Sequence, residues 1–443
     1  MRTLFSIWIA KSAIFVSKML GKKGSSGAGE LALKIQPKIL KILAAKVKKD
    51  IILVCGTNGK TTTNNLIYSL IESTGAKVVC NNVGANMIMG VANAFIDSCN
   101  VFGRLNADYA VLECDEASVR HIVNHVTPSK IVITNLFRDQ VDRYGEVDAT
   151  AKLLDEGFSK VKNVTLILNA DDPISAHFGK KYNAVYYGID GKYCADTTDG
   201  DEGKFCIFCG EELTYNYHHY SQLGDYECKK CGFKRPKPQY MADNINLEGG
   251  MKFDVHYGGM IKKMNLNYRG FYNVYNILAA FSVYDMLNLP TQNVDDVFNS
   301  YKPQIGRMEE FNIGKKVILN LAKNPAGFNQ AIDTVGNDKC EKDIIIAVNA
   351  KPSDGIDVSW INDVNFEKLN DIGCINVYAG GLKKEELALR LWQANVNLVE
   401  TIDITKDKLS EIISASDRPL YVLVNYTVLF DTQTLLKELE EGK

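Results

Sequence analysis

From residue 50 onward, short apolar runs alternate with amphipathic stretches. IILVCG (51–56), KVVC (77–80), DYAVLE (108–113), KIVITN (130–135) and VTLILN (164–169) read as strands, being short, apolar and rich in β-branched residues. Helical periodicity fills the intervals at about 60–74, 84–97, 116–124 and 148–161. Strand–helix alternation of this kind predicts a largely parallel sheet covered by helices.

The rhythm breaks at about 190–245, a stretch rich in Gly, Tyr, Cys and charge that reads as an inserted module. Alternating segments resume with FDVHY and KMNLNY, and a helix follows at 271–287 (FYNVYNILAAFSVYDML). A second strand–helix region starts near 310, with strands KVILNL (316–321), IIIAVNA (344–350), CINVYAG (374–380) and LYVLVNY (420–426). Its helices fit at about 326–335, 383–393, 406–414 and 427–440. The pattern divides the chain into an N-terminal helical segment (1–48), a central domain (49–302) with an insertion at 203–236, and a smaller Rossmann-like α/β domain (303–443). There is no internal repeat and no long low-complexity linker.

With 443 residues and 46% hydrophobic content, the chain can build two or three real cores. A net charge of −2 lacks the basic excess of a nucleic-acid binder. Of eleven cysteines, four form two C-x-x-C pairs. The other seven (Cys55, Cys80, Cys99, Cys114, Cys194, Cys340, Cys374) lie mostly in apolar runs and read as small buried hydrophobes. An odd total without framework spacing fits a reducing, cytoplasmic setting. The N-terminal run MRTLFSIWIAKSAIFVSKML is interrupted by Lys11 and Lys18, and is too short and too charged for a membrane span. Its likeness to a signal peptide is set aside, because a nucleotide motif and free thiols follow. An ordinary helix packed on the first domain is the favoured reading; the alternative is a helix that touches a membrane surface.

The first strand runs into Gly56, Thr57, Asn58, Gly59, Lys60, Thr61, Thr62 and Thr63, and then a helix. A tight glycine turn lets backbone N–H groups face a phosphate, and the helix N-terminus adds a favourable dipole. Lys60 can reach the β and γ phosphates of ATP, and Thr61 can hold Mg²⁺. The spacing is shorter than the common G-x-x-x-x-G-K-[ST] motif, since Val54 stands five positions before Gly59. A glycine turn that merely joins strand to helix is the bland alternative; Lys60 and Thr61 in register after a strand weigh against it.

Cys206 and Cys209 are separated from Cys228 and Cys231 by 18 residues, which is zinc-ribbon spacing. Four thiolates suit tetrahedral Zn²⁺ in a closed, structural shell. Gly210 and Gly232 each follow a second cysteine, where the backbone must turn around sulfur. A redox disulfide is the weaker alternative. His218 and His219, between the pairs, read as surface residues.

GTNGKT, the strand ending in Glu113 before CDEAS, ITNLFRDQVDRYG (133–145), GFYNVYNILAA (270–280) and GRMEEF (306–311) together resemble the Mur ligase family. That resemblance implies Glu113 as a magnesium ligand, Asn273 and Asn276 beside adenine, and Arg307 on ATP at the hinge into the last domain. Two departures stand out. Gln140 replaces the histidine that helps most members bind a metal. Counting from Tyr144, Asp155 falls where many carry a modified lysine that buttresses magnesium; Lys152 is out of phase. The second metal site is therefore altered. LNLAKNPAGFNQAI (319–332) lies where the family has D-Y-A-H-x-P, with Asn320 and Lys323 in place of Asp and His. Lys323 and Asn324 are candidates near the nucleotide or acyl-phosphate.

The cysteine module and SDGIDVSWIND (353–363) are similar to those of the MurT branch of that family. In that branch an aspartate of this run completes the Cys–His pair of a glutaminase partner, GatD. An imidazole needs a carboxylate to fix its tautomer and stabilise its cation. Asp357 is the first choice and Asp354 the second; a plain Asp-Gly turn is what the letters alone would suggest.

The resemblance runs from about 30 to 440 and implies a fold and a reaction. The fold is a Mur ligase-like P-loop ATPase domain with an inserted Cys₄ zinc ribbon, followed by a Rossmann-like α/β domain. The reaction is that of a glutamine-hydrolysing lipid II isoglutaminyl synthase in peptidoglycan synthesis. ATP would phosphorylate the α-carboxyl of D-isoglutamate in the lipid II stem peptide, and ammonia from a GatD-like subunit would give D-isoglutamine. The chain shows no glutaminase nucleophile of its own, so half of a heterodimer is expected, cytoplasmic, with its substrate at the inner membrane face. A Mur- or folylpolyglutamate-type ligase adding an amino acid is the nearest rival. A non-enzymatic zinc-ribbon module and a P-loop switch protein are others; the guanine motifs of the last are missing.

Overall fold

The strand Asp50–Cys55 (β1) buries Ile51, Leu53 and Cys55 on one face and Ile52 and Val54 on the other. A strand apolar on both faces needs cover on both, which is the condition of a central parallel sheet. Its neighbours are β3 (Tyr109–Glu113) on one side and β4 (Lys130–Ile133) on the other, both parallel to it. Beyond β3 lies β2 (Val78–Cys80); beyond β4 come β5 (Thr165–Asn169), β6 (Ala184–Ile189) and β9 (Tyr240–Asn246), again parallel. A meander of β10 (Met251–Tyr257) and β11 (Met260–Leu266) closes that edge antiparallel. The computed structural model describes residues 1–19, 26–81, 85–137, 147–193, 203–301 and 305–442. Gln140, Tyr144 and Cys194 lie outside the described residues.

One face of this nine-stranded sheet is covered by the helices Lys60–Glu72 and Tyr272–Met286. The second of these is buried along nearly its whole length, because it also packs against Lys60–Glu72. The other face carries Ile88–Ser98, Glu116–Ile122 and Val147–Phe158, with the N-terminal helices Arg2–Met19, Gly27–Ile35 and Ile39–Ala44 outside them.

A second sheet has the order β12 (Glu309–Asn312), β13 (Lys316–Leu321), β17 (Leu420–Val424), β14 (Lys342–Ala347), β15 (Cys374–Gly380) and β16 (Leu398–Ile402). Only β12 is antiparallel to its neighbour. The expected strands and helices are present, with ends shifted by a few residues. β6, β9, β12, β16 and the two strands of the inserted hairpin were not expected. β9 re-enters the main sheet inside the stretch that reads as an insertion, so the insertion proper is narrower than the break at 190–245.

Between β6 and β9 the chain forms two cysteine knuckles around a hairpin, β7 (Thr214–Tyr220) and β8 (Leu223–Glu227). The expectation that His218 and His219 are surface residues is wrong. His219 is 1% exposed, with its ring nitrogens 2.6 Å from the Tyr275 hydroxyl and 2.8 Å from the Gly191 carbonyl. His218 is half-buried and stacks on Tyr215. The hairpin folds back onto the main domain, which polar letters do not reveal. Of the scattered thiols, Cys55, Cys99 and Cys114 are buried and Cys80 and Cys374 half-buried, but Cys340 is exposed.

Candidate active site and metal centre

In an open parallel sheet the ligand crevice lies beyond the carboxyl ends of the strands, where strand order reverses. Here that point is β1, flanked by β3 and β4. The loop Gly56–Gly59 leaves β1, Glu113 ends β3, and Thr134–Phe137 leave β4.

Gly56 (φ 121°) and Gly59 (φ 82°) hold conformations that side chains rarely adopt. A Cβ on Gly59 would also meet the Asn276 amide oxygen at 2.2 Å. The β4 loop fixes the turn. Thr57 N donates to the Asn135 carbonyl (2.8 Å), Asn58 N to Asn135 Oδ1 (2.8 Å), and Thr134 Oγ1 to the Asn58 carbonyl (2.7 Å). Lys60 opens the following helix and is buried; its ammonium donates back to the Gly56 and Thr57 carbonyls and to Glu116 Oε1 (3.2 Å).

Two buried carboxylates share this one ammonium. Glu113 is 2% exposed, and burial raises its pKa against the opposing pull of Lys60, the Thr61 hydroxyl and Arg307. Burial likewise raises Glu116, opposed first by Lys60 and further by Lys323. Glu113 Oε1 is 3.4 Å from Asn86 Nδ2, while Oε2 is buried without a hydrogen-bond partner among the described residues. A buried, unpaired carboxylate oxygen beside a threonine hydroxyl fits a hard cation that takes oxygen ligands. Glu113 and Thr61 are thus suited to Mg²⁺. Glu116 escaped the sequence reading although it sits in the quoted CDEAS run; its depth only emerges once Lys60 turns toward it.

Asn273 and Asn276 stand behind the loop. Asn276 Nδ2 donates to Asn273 Oδ1 (2.9 Å), and Thr63 Oγ1 donates to Asn276 Oδ1 (3.3 Å). In this structure Asn276 lies against Gly59 and Thr63, behind the glycine loop. The second domain reaches the same loop from the far side. The amides of Asn58 and Asn324 bond each other reciprocally, at 3.3 and 3.2 Å. Asn324 also caps the helix Pro325–Gly336 through Gly327 N (2.8 Å). Asn320, in the place of the family's aspartate, accepts from Met308 N (3.2 Å) and so holds the turn that carries Arg307. Lys152 is exposed, and Asp155 is engaged by Lys181 (2.7 Å) on the surface, so neither faces the carboxylates.

The four cysteines Cys206, Cys209, Cys228 and Cys231 bring their sulfurs within 4.8 Å of one another. Both knuckles turn alike. Gly210 N donates to the Cys206 carbonyl (2.8 Å) and Gly232 N to that of Cys228 (3.0 Å), each glycine at φ 72°. Backbone N–H groups of Cys231 and Lys230 draw the Cys228 thiol down to about 7. Converging sulfurs with one readily ionised thiol fit Zn²⁺.

The cysteine module is tied to the glycine loop Gly56–Gly59 through the loop that leaves β4. Gln222, at the hairpin tip, donates from Nε2 to the Leu136 carbonyl (2.7 Å) and to Asp172 Oδ1 (3.3 Å). Asp172 Oδ2 accepts from Leu136 N (2.9 Å), and Leu136 follows the Asn135 that holds the loop. Asp171, fully buried, accepts from Arg235 Nε (2.6 Å), Ile189 N (2.8 Å) and the Tyr275 hydroxyl (2.8 Å).

The two candidate aspartates of the last domain part company. Asp354 is buried and accepts from Thr427 N (2.9 Å), Thr427 Oγ1 (2.5 Å) and Lys351 N (3.2 Å), fastening its loop to the helix Tyr426–Glu440. Asp357 is exposed and accepts from Ser359 N (2.8 Å) and Ser359 Oγ (3.0 Å). Both lie in the loop beyond β14, at the carboxyl end of the second sheet, the end from which Asn324 reaches the phosphate loop.

Residues 54–229 match the family described as Mur ligase middle domain, and residues 321–429 the one described as MurT ligase C-terminal. A relative from Staphylococcus aureus (strain COL), named lipid II isoglutaminyl synthase (glutamine-hydrolyzing) subunit MurT, is 37% identical over 401 residues, covering 90% of this chain and 89% of the relative. A pseudomurein peptide ligase type C from Methanothermus fervidus superposes with a TM-score of 0.71 at 24% identity, covering 93% of this chain and 84% of that one. A MurF ligase from Thermotoga maritima in complex with ADP gives a TM-score of 0.65 at 14% identity, covering 93% and 85%.

Proposed function

The chain belongs to the MurT branch of the Mur ligase family, and from that premise we propose that it activates a stem-peptide carboxyl with ATP so that ammonia from a partner subunit can amidate it. It is a ligase of the cell-wall Mur type. The substrate in this reading is the D-isoglutamate α-carboxyl of lipid II, as the name of the S. aureus relative suggests. The observation that carries the reading is the buried Lys60 beside Glu113 and Glu116 at the carboxyl end of β1.

A carboxylate is a poor electrophile because its oxide does not leave. Its oxygen attacks the γ-phosphorus of ATP; the bond to the β–γ bridging oxygen breaks and ADP departs. Ammonia then adds to the acyl carbon, loses a proton and expels phosphate, leaving the amide. Gly56–Thr62 bind the phosphates through backbone N–H groups. Lys60 swings from its carbonyl partners to the transferring phosphoryl group, where fixed positive charge stabilises the transition state. Glu113 and Thr61 hold Mg²⁺, which neutralises phosphate charge when bound. Arg307 adds a guanidinium, whose planar fork suits phosphate. Asn324, clasped to Asn58, closes the second domain over the nucleotide. The four cysteines hold a structural Zn²⁺.

Ammonia is mostly ammonium at neutral pH, so its release by a neighbouring glutaminase removes a real obstacle. In this reading a GatD-like subunit docks at the carboxyl end of the second sheet, and Asp357 orients its catalytic histidine. Asp354, saturated internally, instead holds the loop. The test is Asp357→Asn in the reconstituted complex. Glutamine-dependent amidation is expected to fall by about 10²–10⁴-fold while amidation from added ammonium salts persists. Equal loss with both nitrogen sources would reassign Asp357 to structure.

A further inference from the structure

The helix Arg2–Met19 is apolar on two sides. One side (Ile7, Ala10, Ile14, with Ser6 bonded to the Ala32 carbonyl) is buried against Gly27–Ile35 and Ile88–Ser98. The other side faces outward with Phe5, Trp8, Phe15, Val16 and Met19, half to three-quarters exposed and following i, i+3, i+4 spacing. Trp8 Nε1 donates to the Val101 carbonyl (2.7 Å), and the next residue in the chain, Phe102, is 68% exposed. Lys11 flanks this stripe at one edge and Arg2 at the other. Five large apolar side chains exposed along one helix face, among them three aromatics, mark a contact site.

Charge selects the occupant. The first 49 residues hold eleven Lys and Arg against a single Glu, whereas the rest of the chain holds 40 Lys and Arg against 52 Asp and Glu. Lys38, Lys41, Lys48 and Lys49 of that basic segment are exposed. An aromatic stripe flanked by Lys11 and Arg2, on a segment with many exposed lysines, is the composition of a helix lying in an anionic lipid interface, whereas protein interfaces are depleted in lysine. No helix among the described residues is long and apolar enough to cross a membrane, so the contact lies along the surface.

We propose that the outward face of Arg2–Met19, with Phe102, docks this protein on an anionic bilayer. The docked element adjoins the proposed active site: Ile88–Ser98, on which the helix packs, begins two residues after Asn86, whose amide lies 3.4 Å from Glu113. A lipid-linked acceptor, the substrate class of the function proposed above, would thereby meet the carboxylate pocket near the surface that carries it.

The test uses the full chain with its partner subunit and vesicles of phosphatidylcholine alone or mixed with phosphatidylglycerol. Sedimentation should show at least about tenfold stronger binding to the anionic vesicles, weakened by salt. Phe5→Ser/Trp8→Ser/Phe15→Ser, all exposed positions, should lose most of that binding while amidating a water-soluble muropeptide at the wild-type rate. Equal binding to both vesicle types would overturn the proposal, as would anionic-vesicle binding unchanged in the triple variant. A concentration-dependent dimer abolished by the triple substitution would overturn it in favour of a second copy. Because the soluble acceptor reports amidation separately, failure to bind vesicles leaves the catalytic reading standing on its own test.

Discussion

Lys60 sits between two needs. In this structure it pairs with Glu116 and donates to the loop carbonyls; in the proposed phosphoryl transfer it would serve the γ-phosphate. The two roles separate experimentally. Lys60→Ala should lower the amidation rate by at least about 10²–10³-fold. It should also lower the melting temperature, because it strands a buried carboxylate. Adding Glu116→Gln should restore the melting temperature and leave the rate low. Recovery of both by the double variant would make Lys60 a structural residue. Asp172 gives the pH counterpart. Burial pushes its carboxyl up to about 7 from an ordinary 3.8. A carboxyl whose folded pKa exceeds its unfolded value binds more protons in the native state, so its stabilising contribution is full below about 4 and is lost as pH rises through 7. Melting temperature measured from pH 5 to 8 should fall less steeply in Asp172→Asn than in the wild type; parallel curves would refute the assignment.

Among the elements, the hairpin β7–β8 carries the least expected connection. Its tip residue Gln222 bonds the β4 loop, and that loop holds Thr57 and Asn58. If Gly56–Gly59 binds phosphate as proposed, the cysteine module should support nucleotide binding, although its cysteines lie away from that loop. Gln222→Ala leaves the Leu136 carbonyl and Asp172 short of a donor, at a cost of about 1–3 kcal/mol. The expected result is a KM for ATP raised roughly threefold to tenfold with kcat little changed. Cys209→Ser/Cys231→Ser should lose bound zinc and show the same rise in KM; an unchanged KM in both would confine the ribbon to local stability. Much of the element order was legible beforehand, because β1, β3, β4 and β5 are short apolar runs buried on both faces. β16 (LVETI) and β9 (YMADNIN) were not, since their partly exposed positions carry polar letters. His219 was misread for a related reason: its burial depends on Tyr275, 56 positions away, and on Gly191.

At the scale of the whole molecule, the two sheets meet at one point of chemistry. The loop Gly56–Gly59 supplies Asn58, the second domain supplies Asn324, and their amides bond each other reciprocally. Motif letters alone singled out Lys60 and Thr61, because a strand-to-helix glycine turn is a local feature; Glu113 came from the family resemblance of the neighbouring motifs. Glu116, Thr134, Asn135 and Gln222 depend on tertiary placement and escaped that reading. The split between a buried Asp354 and an exposed Asp357 likewise needed coordinates. The central claim is that one carboxyl oxygen passes through an acyl phosphate before nitrogen arrives. Isotope transfer tests it most directly. The complex is supplied with Mg-ATP, glutamine and a stem peptide labelled with ¹⁸O in the D-isoglutamate α-carboxyl, and the released phosphate is analysed by mass. The account predicts a single ¹⁸O in each phosphate formed with the amide; unlabelled phosphate accompanying full amidation would contradict it.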